Sequence, residues 1–202
     1  QSRYPAAPGA TTVACSNVSI PTPEQQILDK RLKRIELAER PLTFGTIGSL
    51  HGRFKGVQDA IAALGAVKAQ LPPFCYKVLG GGDPSPWREL AERHGLADEV
   101  IFEGTLPSGG PVHDWLDHID VYLHPSLREG LPRAVVEAMS RGAPIIASSV
   151  GGTPELLPPE CMHKPGDVGA LKSLILQSVS ADWQRRHAQA NWERAHEYAK
   201  PI

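Results

Sequence analysis

The sequence carries almost no net charge. Its 21 Lys and Arg are offset by 22 Asp and Glu, for a formal charge of −1. That removes the electrostatic case for binding nucleic acid or an anionic membrane surface. No apolar run approaches the ~20 residues that cross a bilayer, and no signal-peptide pattern is present. Cysteine is scarce: Cys15, Cys75 and Cys161 are odd in number and lack CxxC spacing. Free thiols in a reducing compartment, and hence a cytoplasmic protein, are expected. The histidines are scattered. His51, His94, His113, His118, His124 and His163 show no metal-ligand spacing and read as surface or structural residues. No carboxylate pair of the DxD type stands out to hold a cation. Gly80-Gly81-Gly82-Asp83 is not a GxGxxG fingerprint, which disfavours a redox dinucleotide enzyme.

What is present is a globular composition, 41% hydrophobic and 21% charged, with 19 Gly and 19 Pro for tight turns between short elements. At 202 residues the chain is long enough for one domain with extensions. It begins with Gln rather than Met, and a piece of a longer protein is expected. Residues 1–10 are Pro/Ala/Gly-rich and read as a tail, 11–15 as a short strand and 17–23 as a turn-rich crossing. Residues 24–39 carry Ile27, Leu28, Leu32, Ile35 and Leu37 among charges, an amphipathic helix that packs. Short apolar runs at 42–48, 75–79, 100–102, 120–124 and 144–147 then alternate with helical patterns, with a weak edge strand at 161–164. This alternation predicts an α/β fold, a Rossmann-like doubly wound parallel sheet with right-handed crossovers. Residues 1–41 form the entry segment, 42–180 the domain, and 181–202 a mostly polar helix that needs something to lie on.

The stretch 126–155, SLREGLPRAVVEAMSRGAPIIASSVGGTPE, organises the chain. Pro132 suits a first helical position. Val135, Val136 and Met139 give an apolar face, and Gly142 fits the residue past the helix end. The strand at 144–147 follows, and Gly151-Gly152 lets backbone approach whatever lies beyond it. The helix N-terminus offers unpaired N–H groups, so 131–134 is suited to a diphosphate. Glu137 lies roughly 7.5 Å further along the axis, a suitable offset for a carboxylate accepting both ribose hydroxyls. Glu129, in the loop ahead, faces the opposite side. Alone, two glutamates carry little, because a helix glutamate is usually solvated. Before the helix that follows the first strand, Lys55 is placed as a diphosphate-binding cation, with Arg53 two residues earlier.

The full string is more specific. Glu129-x7-Glu137, Ala138-Met139, Gly142-Ala143-Pro144 and Gly151-Gly152-x-Pro154-Glu155 resemble retaining glycosyltransferases of the family-4 type, which have the two-domain GT-B fold. The resemblance runs through most of residues 42–177 and implies the C-terminal, donor-binding half of such an enzyme. It implies Glu129 as the catalytic residue on the sugar side. Donor contacts are implied at Gly48, Ser49, Arg53, Lys55, Gly104, Gly130, Leu131, Pro132, Arg133, Ala134 and Glu137. In the family an Arg follows the glycine of the first strand; here Ser49 follows Gly48, and Arg53 is the candidate substitute. Lys55-Gly56 matches the family pattern. The implied donor is a UDP-, GDP- or ADP-sugar, with no cofactor and no metal. A missing N-terminal domain, toward which the helix at 181–202 would return, is expected to supply the acceptor glycan or lipid and any peripheral membrane association, with polysaccharide or glycolipid synthesis as the role. A non-catalytic nucleotide-sugar binding module, and a sugar-nucleotide epimerase or hydrolase of the same fold, remain as alternatives.

Overall fold

The computed structural model describes residues 20–37 and 40–199. The tail at 1–10 and the short strand expected at 11–15 lie outside the described residues, as do the ends of both flanking helical segments. Among the described residues six parallel strands form one sheet: β1 (Leu42–Ile47), β2 (Phe74–Leu79), β3 (Val100–Gly104), β4 (Val121–His124), β5 (Ile145–Ser148) and β6 (Met162–His163). Their order is β3-β2-β1-β4-β5-β6. β4 and β5 are buried along their whole length, the reason they read as continuous apolar runs. Alternate residues serve opposite cores. Val121, Leu123 and Ile146 face one side, while Tyr122, Ile145 and Ala147 face the other. Helices α2 (Val57–Val67), α3 (Ser85–Arg93) and α7 (Val168–Ser178) cover the first side; α4 (Gly110–Asp117) and α5 (Arg133–Ser140) cover the second. Each fully buried Val, Leu or Ile contributes about 1.5–3 kcal/mol, so the two cores together hold the layers in place.

The winding sets where ligands can enter. The chain runs outward from β1 to β2 to β3, then returns through α4 on the opposite face to restart at β4 beside β1. β1 and β4 therefore flank the point where the winding reverses, and their carboxyl ends open a crevice.

The flanking helices differ from the sequence expectation in detail. The first, α1 (Gln25–Glu36), ends earlier, and Leu37 beyond it is 62% exposed. Its buried stripe is Leu28, Arg31 and Ile35. Arg31 is buried, and its guanidinium donates to the carbonyls of Leu116, Ile119 and Arg141. Beside it, Asp120 accepts from Arg34, Arg40 and the Thr43 amide. A short helix, α6 (Thr153–Leu156), follows the glycine pair and was not anticipated. The polar helix is α8 (Ala181–Ala195), capped by Ser180, and it packs within this chain against α1 and α5. Its buried polar residues explain its weak apolar pattern: Gln184 donates to Ser178 O at 2.8 Å and Asn191 to Ala143 O at 2.8 Å.

Candidate functional site

Two loops meet at the reversal point. After β1, residues 48–56 turn back toward α2. A Cβ on Gly48 would lie 2.8 Å from both Cβ and Cγ of Lys55, so the stem of Lys55 crosses directly over that glycine. Its Nζ then reaches Glu129 Oε1 at 2.6 Å, in the loop after β4. The loops are clasped at further points. Leu127 N–H donates to Phe54 O at 2.7 Å, and the Arg128 guanidinium sits 5.5 Å from the centre of the exposed Phe54 ring. From behind, the buried Trp87 Nε1 donates to Leu50 O at 3.2 Å.

Glu129 is held from three sides. His124, 2% exposed at the end of β4, brings Nε2 to 3.0 Å from the same Oε1, though not aligned as a regular hydrogen bond. The buried Ser126 hydroxyl lies beside them. Burial alone would raise the Glu129 pKa, but the His124 and Lys55 contacts outweigh it and bring the carboxyl down to about 2. It is therefore an anion at neutral pH. The loop's backbone is fixed by the glycine pair, and this is what that pair approaches. Gly151 has φ 62°, and a Cβ there would meet Glu129 O at 2.4 Å; Gly152 N–H donates to Gly130 O at 2.7 Å.

Pro132 is the N-cap of α5 rather than its first helical residue, so the helix begins one residue later than expected, with no side-chain cap. Lacking an N–H itself, it leaves Arg133 and Ala134 as the open helix amides; among the described residues neither donates to an acceptor, whereas Val135 and Val136 both donate to Pro132 O. Glu137, one turn deeper, is 8% exposed rather than solvated, and Arg133 Nε donates to its Oε1 at 2.9 Å. The buried Tyr122 hydroxyl accepts from Ile47 N–H at 3.3 Å. Burial pushes its phenol up, and the charges of Glu129 and Glu137 add smaller contributions in the same direction.

The structure thus brings together Gly48, Lys55, Glu129, Gly130, Leu131, the first turn of α5 and Glu137. Arg53 does not join them. It is exposed in a short 3-10 turn (Arg53–Lys55), makes no ion pair among the described residues, and its charge acts on Asp59. Ser49 is exposed, and its hydroxyl accepts from His51 N–H. Gly104, at the exit of β3, faces open space and accepts from Gly80 N–H at 2.6 Å. His124, read from the sequence as surface or structural, is buried, and what that reading did not show is its place beside Glu129. Its signal was position: it closes a fully apolar strand run immediately before Pro125-Ser126.

Comparison with known proteins decides the family. The family described as Glycosyl transferases group 1 matches residues 41–180. The chain belongs to the group 1 glycosyltransferases. Protein CapJ of Staphylococcus aureus is 30% identical over 154 residues, which cover 76% of this chain and 39% of CapJ. The chain therefore spans well under half the length of that relative. The C-terminal domain of the group 1 glycosyltransferase LpcC from Francisella tularensis superposes with a TM-score of 0.70 at 20% identity, over 87% of this chain and 96% of that domain. Anabaena HepE, solved in complex with UDP-glucose, superposes with a TM-score of 0.70 at 22% identity, over 87% of this chain and 49% of HepE. The Rossmann-like layer is that of the GT-B glycosyltransferases. In this group 1 chain the motif Glu129-x7-Glu137 lies at the reversal point of the sheet.

Proposed function

We propose that this chain is the donor-binding half of a GT-B glycosyltransferase that takes a nucleotide-diphosphate sugar. One observation carries the reading. Lys55 and Glu129 meet at 2.6 Å at the reversal point, in front of the open first turn of α5, with Glu137 buried one turn deeper. The Arg133 and Ala134 amides and Lys55 would take the diphosphate, a helix N-terminus and an ammonium both favouring negative charge. Glu137 would accept the ribose hydroxyls, displacing Arg133. Glu129, anionic and on the far side of Lys55, would accept hydroxyls of the transferred hexose and favour positive charge developing at its anomeric carbon. Transfer with retention would break the bond from that carbon to the diphosphate oxygen as a bond to the acceptor oxygen forms on the same face. The acceptor's proton would pass to the leaving diphosphate. A second, N-terminal half would present the acceptor, a glycan or lipid, and the chain alone is expected to bind donor without transferring sugar. The role would be polysaccharide or glycolipid synthesis, in the cytoplasm.

The test is calorimetric titration of UDP, GDP and ADP against their nucleosides. At least one diphosphate should bind more tightly than its nucleoside, and Lys55→Ala should erase about tenfold or more of that difference. A chain indifferent to the diphosphate, or a Lys55→Ala variant with unchanged preference, would remove the donor site from this crevice.

A further inference from the structure

We propose that His124 is the positioning residue that frees Lys55: its Nε2–H holds Glu129 in place when Lys55 is drawn from the carboxylate to the donor diphosphate. This deepens the donor reading above and rests on it. Lys55 and His124 reach the same oxygen of Glu129, at 2.6 and 3.0 Å, but they are differently built. The Lys55 side chain is 33% exposed on a flexible stem, so its ammonium can turn to an incoming anion. The His124 side chain is 2% exposed on the last residue of a fully buried strand and cannot follow it. Its ring lies nearly parallel to that of Tyr122, with centroids 6.1 Å apart and planes 20° apart.

Two buried polar atoms in this place lack regular hydrogen bonds, His124 Nε2 and Ser126 Oγ, and both belong to the floor beneath Glu129. A carboxylate whose side chain is 9% exposed would be left without a cation or donor if Lys55 were its only partner. The diphosphate would then have to compete with Glu129 for Lys55. A donor from His124 removes that competition. It also requires the proton to sit on Nε2, since a lone pair there would repel the carboxylate.

Two measurements on this chain test the proposal. Long-range proton–nitrogen spectra of the His124 ring should show a proton on Nε2; a neutral ring with its proton on Nδ1 alone would overturn the inference. The second compares UDP with uridine as probes. His124→Leu, which keeps the volume without a donor, should weaken UDP about tenfold, the loss expected for one hydrogen bond to a charged group, and leave uridine unchanged. His124→Gln, whose amide N–H reaches the Nε2 position, should stay within about threefold of the parent chain. In a Glu129→Gln background the His124→Leu change should cost UDP less than about twofold, because the competing carboxylate is gone. Equal losses for UDP and uridine, or a loss that persists in the Glu129→Gln background, would make His124 a packing residue only. If the parent chain binds neither probe, the donor reading fails, and the position of the ring proton still decides the role of His124.

Discussion

At Glu129 an ammonium and an imidazole converge on one carboxylate oxygen, and the carboxyl is held down at about 2 against an ordinary value of 4.5. A carboxyl lowered by folding stabilises the native state above its unfolded pKa, and that contribution disappears as pH falls through the folded one. At neutral pH it amounts to up to about 3 kcal/mol, and about half is expected to be gone by pH 3. Urea unfolding of the parent chain and Glu129→Gln should therefore differ most near pH 6 and converge toward pH 2. A difference that does not change with pH would show that folding does not lower this carboxyl. Glu137 carries a separate expectation. Glu137→Gln should weaken a ribonucleoside diphosphate by roughly 1.5–3 kcal/mol, the value of a hydrogen bond to a charged group, and spare the 2′,3′-dideoxy analogue. Equal losses for both nucleotides would show that Glu137 does not hold the ribose.

Among the elements, the strands were legible because buried parallel strands leave short apolar runs, and 42–48, 75–79 and 144–147 fall within a residue or two of β1, β2 and β5. The Glu129-x7-Glu137 spacing was legible for a different reason: a loop and a helix on one side of a strand exit can only be read in chain order. What sequence reading missed depends on contacts between distant residues. Arg31 looks like a solvated helix charge until its three acceptors from distant parts of the same chain, Leu116, Ile119 and Arg141, are seen. Likewise, the sequence shows α8 as a mostly polar helix that needs something to lie on, and only the structure shows its buried polar side chains finding partners within this chain. His124 shows its role only when β1 brings Lys55 alongside β4. The glycine pair was read correctly as a close approach, but its neighbour was unknown. That neighbour is the Glu129 carbonyl, so Gly151→Ala should destabilise the chain by roughly 1–3 kcal/mol through its positive φ and the added contact. Unfolding by urea measures this, and an unchanged midpoint would mean that the two loops are not packed as described.

For the whole molecule, the decisive feature is the reversal of winding between β1 and β4, since it gathers residues from 48 to 152 into one crevice. Membership of the group 1 glycosyltransferases and the Rossmann-like layer follow from the match over residues 41–180 and from the superpositions. Among the described residues, hollows also lie elsewhere. One, of about 550 Å³, is lined by Leu156, Leu157 and Arg194; another, of about 600 Å³, by Leu71, Pro73 and Phe74. Neither includes a residue of the Lys55–Glu129 pair. The measurement that tests the account most directly is an amide chemical-shift map of this chain titrated with UDP. The largest changes are expected in 48–56 and 129–137, with Arg133 and Ala134 among them. Changes centred instead on 154–158 with 190–197, or on 65–74, would contradict it.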